Sequence, residues 1–287
     1  MANKAQGRRQ FLQLAGAGAV ASLVGSNISQ GQRRRSTGRR AGKPLFELGL
    51  ASYTLKEFNL DDTLAMTRKV GLKYICFKSF HLAMDSTPAQ IEAVVAKVKK
   101  AGLTLYGGGV IGMKKEGQVN QAFDYAKAAG MSVIIGAPAP EMLPLIEKKV
   151  KQYDIKVAIH NHGPGDKFFP TPEVALKHIR NLDKRIGMCH DIGHTKRYGS
   201  DPIAETQLCA DRLHDVHIKD VSAANKDGKG VEIGRGIIDI PRFIRTLVRM
   251  KYAGMVSLEY EKEAKDPLAG LAESVGYVKG VIAALRA

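Results

Sequence analysis

Cysteine is scarce in this sequence, with three residues in 287, at positions 76, 189 and 209. An odd number of widely spaced cysteines suits neither a disulfide framework nor a thiolate metal site, so we expect three buried thiols. Long apolar runs are also missing, because none reaches the ~18 residues that a membrane-spanning helix needs. The length allows one large hydrophobic core or two small ones.

Acidic residues are absent from the first 43 positions, which contain nine lysines and arginines. The formal net charge of +16 is therefore unevenly distributed, and the rest of the chain carries only +7. A strongly basic chain usually suggests nucleic acid or an anionic membrane as a partner. Because most of the excess charge lies in the N-terminal segment, we expect no nucleic-acid partner.

This N-terminal segment resembles a twin-arginine export signal. Arg8 and Arg9 precede a mildly apolar stretch over residues 14–24, which is the order of elements in such a signal. We expect a signal segment at residues 1–25, recognised by the export machinery, then a basic flexible linker at 26–43 and a periplasmic location. The alternative is a disordered basic tail, which would leave the protein in the cytoplasm.

Residues 44–287 contain a repeated phrase in which a helical pattern ends at a glycine and a buried-strand pattern follows. The phrase begins near residues 70, 101, 129 and 253, and its first three copies lie about 30 residues apart, the length of one βα unit. Eight such units with right-handed crossovers close into a barrel, so we predict an α/β fold, a single (β/α)8 TIM barrel. The predicted strands start near Phe46, Lys73, Thr104, Ser132, Lys156, Arg185, Arg212 and Met255.

A doubly wound nucleotide-binding fold is the alternative, because residues 107–112 match a G-x-G-x-x-G string. The string follows the third predicted strand, and the next strand has no acidic residue to bind a ribose. We therefore interpret it as a tight, glycine-rich loop between a strand and a helix.

The last four predicted strands each end in polar or ionisable residues. Side chains alternate along a strand, so residues two apart, such as His160 and His162, point to the same side. Burying such groups together is costly unless a divalent cation binds them. Each residue alone could cap a loop or hydrogen-bond a backbone carbonyl. One candidate ligand at the end of each of four successive strands, however, is the arrangement that a metal site needs. The proposed metal ligands are His160, Asp191, His217 and Glu259.

These motifs resemble the xylose isomerase-like TIM barrels, a family of sugar phosphate isomerases and epimerases. The resemblance covers nearly everything after Pro44, and its carriers lie at residues 191–194, 217–220, 234–239 and 257–260. It implies one divalent ion, Mn²⁺, Co²⁺, Zn²⁺ or Mg²⁺, bound through Asp191, His217 and Glu259. The ketose 3-epimerases of the family have a glutamate on strand five where this chain has His160. That difference shifts the expectation from a plain epimerase towards isomerases, dehydratases or lyases.

The expected reaction moves a proton next to a carbonyl group of a small-molecule sugar or sugar derivative, through an enediolate. The candidate bases are Glu259 and Glu261, followed by His162. Lys78 is a candidate partner for an oxyanion or sugar hydroxyls, or a surface lysine. The candidate substrate contacts are His81, His194, Lys219, Asp220 and Arg235. The last four of these residues also have an alternative role. His194 could orient Asp191, and Lys219 and Asp220 could form an ion pair with each other. Arg235 could be a loop arginine exposed to solvent.

Two other functions remain open at this point. An apurinic-site endonuclease resembles the chain in its Asp191-x-x-His194 motif and Glu259. Such enzymes need more metal ligands, including histidines after strand three, where this chain has three glycines. The other possibility is a sugar-binding barrel without turnover. A homo-oligomer is compatible with each of these functions.

Overall fold

The computed structural model describes residues 46–286, so the predicted signal segment and linker lie outside the described residues. Eight parallel strands form a closed barrel in the order β1-β8-β7-β6-β5-β4-β3-β2. The barrel confirms the predicted fold, and each strand begins within one residue of the predicted position. The strands are β1 (Glu47–Ala51), β2 (Tyr74–Phe77), β3 (Thr104–Met113), β4 (Val133–Pro138), β5 (Lys156–His160), β6 (Ile186–Asp191), β7 (Leu213–Ile218) and β8 (Met255–Leu258).

Helices connect the strands and cover the outside of the barrel. Their starts follow local capping rules. At α2, for example, Thr87 and Gln90 form a reciprocal capping box and Pro88 occupies the first turn. None of the described helices is long and apolar enough to cross a membrane. The helices are α1 (Leu60–Lys69), α2 (Pro88–Lys100), α3 (Glu116–Ala128), α4 (Leu143–Tyr153), α5 (Pro172–Ile179), α6 (Ile192–Tyr198), α7 (Pro202–Leu208), α8 (Ile240–Arg249) and α9 (Leu268–Ala284).

The glycine phrases behave as expected in three of four cases. Gly71, Gly102 and Gly130 each follow a helix with positive φ, between 65° and 74°, a conformation that glycine adopts at little cost. The fourth prediction was wrong, because after α8 the left-handed residue is Lys251, with φ of 54°, and not Gly254. The close approach of a neighbouring side chain favours glycine at position 254, since a Cβ there would collide with the hydroxyl group of Tyr252.

The glycine string at residues 107–112 lies inside β3, so its interpretation as a loop was wrong. β3 is ten residues long and pairs with β4 from Gly107 to Met113, with an irregularity between Gly109 and Ile111. A Cβ at Gly109 would collide with the backbone of Ile135 in β4. The string therefore allows two neighbouring strands to approach closely, and the closed barrel excludes the doubly wound alternative.

Two apolar layers hold the barrel together. The larger lies between the strands and the surrounding helices, and the smaller fills the barrel interior with Tyr106, Ile135 and their neighbours. All three cysteines are buried and free, as predicted. Because the interior is filled, space for a ligand lies above it, where the strands end at the C-terminal face of the barrel.

Candidate functional site

The candidate site lies at the C-terminal ends of β5, β6, β7 and β8. Strand pairing brings His160 level with Cys189, and Asp191 level with His217. Glu259 directly follows β8, where its backbone N–H donates to the carbonyl of Ile218. The four proposed ligands are buried, and each offers one nitrogen or oxygen atom within 4.8 Å of the other three. The four residues are His160, Asp191, His217 and Glu259.

The ligand atoms lie within hydrogen-bonding or ion-pair distance of one another across neighbouring and next-neighbouring strands. His160 Nε2 lies 3.5 Å from Asp191 Oδ2 and 3.1 Å from His217 Nδ1. His217 Nδ1 lies 3.4 Å from Glu259 Oε2. Two imidazole nitrogens and two carboxylate oxygens therefore converge on one small volume, which is the donor set of many first-row transition-metal sites.

Lys219 extends into the same cluster from the residue after β7. Its Nζ lies 2.8 Å from Glu259 Oε2, 3.0 Å from Asp191 Oδ2 and 3.2 Å from Glu261 Oε1. Burial disfavours an ammonium, but Asp191 and then the two glutamates outweigh it and raise the pKa of Lys219 well above its usual range. Lys219 is therefore a fixed positive charge, and its ion pairs are with these three carboxylates and not with Asp220.

The two carboxylates of the cluster are ionised. Burial opposes their charge, but the ammonium of Lys219 holds the pKa of both Asp191 and Glu259 well below the usual range. Burial raises the pKa of Glu261. Before the histidines are counted, the cluster has one ammonium and two ionised carboxylates, and its negative charge grows when Glu261 ionises.

The histidines of the cluster differ from one another. Burial lowers the pKa of His160 to about 3 and that of His194 to about 4, so both rings are neutral and have a nitrogen lone pair available. At His217 burial also lowers the pKa, but Glu259 outweighs it and the net shift is upward. The carboxylates therefore favour the protonated form of His217 over the neutral ring.

An inner cavity of about 280 Å³ opens above the cluster. Several predicted catalytic and substrate-binding residues border it directly, whereas Tyr53 and Val110 at its wall were not predicted. Lys78 donates a hydrogen bond from Nζ to the carbonyl of Val110, and burial lowers the pKa of Lys78. The wall is formed by Tyr53, Lys78, Val110, His160, His162, His194, Glu259 and Glu261.

Three predicted substrate contacts are bound to other parts of the protein. Both ring nitrogens of His81 face hydroxyl groups, those of Ser52 and Thr63, at 2.9 Å. Asp220 is fully buried and accepts hydrogen bonds from backbone N–H groups of residues 234, 236 and 238. Arg235 forms an exposed ion pair with Glu273. None of the three is among the residues that border the inner cavity.

The sequence analysis missed Asp215, which lies two residues before His217 on β7. Asp215 is fully buried, and within the described structure neither of its carboxylate oxygens has a hydrogen-bond partner. Burial raises its pKa to about 7. Strand alternation could have identified it, because Asp215 and His217 point to the same side of β7.

The residues present fit a divalent metal ion. Among the described residues, Asp191 Oδ2 lies in this cluster and is buried without a hydrogen-bond partner of favourable geometry, which is unusual for a buried polar atom. A divalent cation at the cluster would take the place of the proton that the carboxylates favour on His217 and would offset the negative charge of Asp191 and Glu259. A site with two imidazole and two carboxylate ligands suits Mn²⁺, Co²⁺ or Zn²⁺ better than a site with oxygen ligands alone would.

Two curated proteins are similar in sequence to part of this chain. The Escherichia coli (strain K12) protein SgbU, named as an L-ribulose-5-phosphate 3-epimerase, is 30% identical over 83 residues, which span 27% of this chain and 29% of SgbU. The match to a second curated relative also spans less than half of that relative.

Solved structures match over most of the barrel. A protein from Parabacteroides distasonis is 25% identical with a TM-score of 0.67, and the match covers 83% of this chain and 99% of that one. The 3-keto-D-glucoside 4-epimerase YcjR from E. coli is 16% identical with a TM-score of 0.68, covering 82% and 99%, and this likeness shows the fold alone. The family model for the xylose isomerase-like TIM barrel matches residues 64–281. With the closed barrel and the cluster at the ends of its last four strands, this match shows that the chain belongs to the xylose isomerase-like TIM barrel family.

Proposed function

We propose that this protein is a divalent-metal-dependent enzyme that isomerises, epimerises or dehydrates a sugar or sugar derivative through an enediolate next to a carbonyl group. The convergence of His160, Asp191, His217 and Glu259 within 4.8 Å carries the proposal. The names of two similar proteins support it, because a ribulose 3-epimerase and a 3-keto-glucoside 4-epimerase both invert a carbon next to a ketone.

The four converging residues are the proposed metal ligands, and the ion is Mn²⁺, Co²⁺, Zn²⁺ or Mg²⁺. Such a cation draws electron density from a carbonyl oxygen and makes the neighbouring C–H bond more acidic. Lys219 stays beside Asp191 and Glu259 and keeps both carboxylates ionised.

Glu261 and His162 are the proposed proton carriers. With Glu259 assigned to the metal, these are the candidate bases that border the cavity with side chains free of the ligand set. They come from the ends of β8 and β5, which are not neighbours in the barrel. Two groups from separate strands can remove a proton on one side of a sugar carbon and return one on the other.

Lys78 is the proposed partner for charge that develops on substrate oxygen. Its ammonium is on the cavity wall and already donates to the Val110 carbonyl, which fixes its position. His194 borders the same space, and its ring is neutral, so it can accept or donate a hydrogen bond to a sugar hydroxyl. The fate of the enediolate decides the product: a returned proton gives an isomer or epimer, and loss of a β-oxygen gives a dehydrated sugar.

Metal analysis and solvent isotope exchange test this proposal together. The purified protein is expected to contain about one divalent ion per chain. His217→Ala is expected to lose it, because the substitution removes one of the two imidazole ligands and leaves only two carboxylates and one imidazole. Keto-sugars and oxidised glycosides are then incubated in deuterated water, and deuterium next to the carbonyl is measured by mass spectrometry.

His214→Ala is the matched control, since His214 is on the same strand but at its opposite end, hydrogen-bonded to the carbonyl of Lys184. This variant is expected to keep both metal and exchange. Full metal retention by His217→Ala would remove His217 from the site. Binding of a sugar without any exchange would instead support a sugar-binding barrel.

A further inference from the structure

A second cavity, of about 590 Å³, lies beside the inner one, and His162 borders both. The outer cavity is formed by the ends of β3 and β4 and by the loop that follows β5. The inner cavity alone is at the small end of ligand pockets, which range over roughly 300–1,000 Å³. Because His162 is in both walls, the part of a larger molecule that the inner cavity cannot hold would lie in the outer cavity.

The wall of the outer cavity is held in place by its own hydrogen bonds. Asp166 Oδ1 accepts from the backbone N–H groups of Phe168 and Phe169 at 2.9 and 3.2 Å. Phe169 is buried, and its ring packs edge-on against His178 with centroids 5.6 Å apart. Phe168 also borders the cavity and is 37% exposed as a residue, which gives a preformed apolar surface of the kind that ring systems bind.

The charged groups of this wall leave a positive balance. Asp166 Oδ2 lies 3.3 Å from His162 Nδ1, so its charge is already engaged by the loop and by His162. Lys114 and Lys167 also border the cavity and are exposed, and neither forms an ion pair with a carboxylate in the described part of the chain. These two lysines can therefore bind an anionic group.

We propose that the substrate is a sugar derivative that carries a second ring with a negatively charged group. The sugar binds at the His160–Glu259 cluster, the second ring lies against Phe168, and the charged group lies beside Lys114 and Lys167. The position of the sugar rests on the proposed function, whereas the position of the second ring rests on the outer cavity alone.

Three probes that share one sugar separate these contributions. A glycosidic bond occupies the anomeric carbon, so the probes are β-glucosides oxidised to a ketone at another ring carbon, with methyl, phenyl or 4-carboxyphenyl as the second group. Titration calorimetry on the full-length protein gives each Kd. Phenyl is expected to bind roughly three- to tenfold more tightly than methyl, and the carboxylate to add roughly two- to fivefold.

Two substitutions test which residues cause these gains in binding affinity. Phe168→Ala is expected to remove the phenyl advantage, whereas Tyr198→Ala, at an aromatic position 49% exposed outside both cavities, retains it. Lys167→Gln is expected to remove most of the carboxylate gain and to keep the phenyl gain. Lys177→Gln, an exposed lysine on α5 outside both cavities, retains both gains.

The outcomes distinguish this proposal from the proposed function. Equal binding of the three probes, absence of binding, or a ratio that Phe168→Ala leaves unchanged overturns the outer subsite. If deuterium still exchanges next to the ketone in that case, the proposed function stands without it. If the aromatic probes bind better through Phe168 but none exchanges, the outer subsite stands and the proposed chemistry fails.

Discussion

His190 is an example of a buried histidine whose environment keeps it neutral. It lies next to Asp191 on β6, and each ring nitrogen is 2.8 Å from a threonine hydroxyl, that of Thr206 or Thr195. Burial lowers the pKa of His190 to about 4. One tautomer satisfies both threonines, so the ring helps to position the start of α6 without adding charge to the cluster.

This depressed pKa predicts a loss of stability in mild acid. An unfolded histidine has a pKa of about 6.5, so between pH 6.5 and 4 the unfolded chain binds a proton at residue 190 that the folded chain does not. The free energy of unfolding therefore falls as the pH is lowered through this window, and the contribution of His190 is about 1.4 kcal/mol per pH unit. His190→Gln is expected to reduce the slope by that amount.

Urea unfolding from pH 7.5 to 4, with a chelator present to keep the metal content constant, measures these slopes. His178→Gln replaces an exposed histidine on α5 and controls for the substitution itself. Equal slopes for wild type and His190→Gln would contradict the assignment of a neutral, buried ring.

At the residue scale, the sequence predicted positions better than contacts. Strand ends and alternation place His160, Asp191, His217 and Glu259 at one end of the barrel, and their atoms do converge. The same reasoning could not show that Asp220 binds backbone N–H groups of a neighbouring loop. Nearest partners depend on how loops of different length fold over the strands, and periodicity contains no information on this.

At the element scale, β3 shows how glycines set the distance between strands. Gly109 and Gly112 are both in this strand, yet their surroundings differ. A Cβ at Gly109 would collide with Ile135 of β4, whereas a Cβ at Gly112 meets nothing within 4 Å. Gly109 also precedes Val110, whose carbonyl accepts the hydrogen bond from Lys78, so β3 connects strand packing to the cavity wall.

Alanine substitutions at these two glycines are expected to have opposite effects. Gly109→Ala forces β3 and β4 apart and is expected to cost about 1–3 kcal/mol, as overpacking typically does. Gly112→Ala is expected to be neutral or to stabilise by up to ~1 kcal/mol, because alanine restricts the unfolded chain. Denaturant midpoints of the two variants and wild type measure the difference. If both variants unfold at the same midpoint, close packing at Gly109 is not what requires glycine there.

The repeated glycine phrase located the strands because it reports two local events, the end of a helix and the start of a buried strand. The separate glycine string at residues 107–112 was wrongly interpreted as a loop, since glycine permits a turn and also permits close strand packing. The repeated phrase failed to identify Lys251 as the left-handed residue after α8. A glycine pattern therefore predicts where strands begin more reliably than which glycine needs a positive φ.

At the scale of the whole molecule, the candidate site exists only in the closed barrel. The four proposed ligands lie between residues 160 and 259 along the chain, and parallel pairing of four successive strands brings them together. A chain that crossed a membrane unfolded would carry these residues as separate side chains. If such a protein folded before export, the proposed ion could bind before the protein left the cytoplasm.

We propose that Arg8 and Arg9 direct such an export route, in which the folded protein is transported. The receptor for twin-arginine signals reads the two guanidinium groups, and lysine does not reproduce their planar, five-donor geometry. The double substitution of Arg8 and Arg9 by lysine is therefore expected to leave the protein in the cytoplasm of a bacterial host that has this route, at unchanged net charge. Replacing Arg33 and Arg34 by lysine makes the same chemical change in the linker and is expected to leave export intact. Cell fractionation and immunoblotting measure both variants, and periplasmic protein from the Arg8/Arg9 variant at the wild-type level would refute the signal.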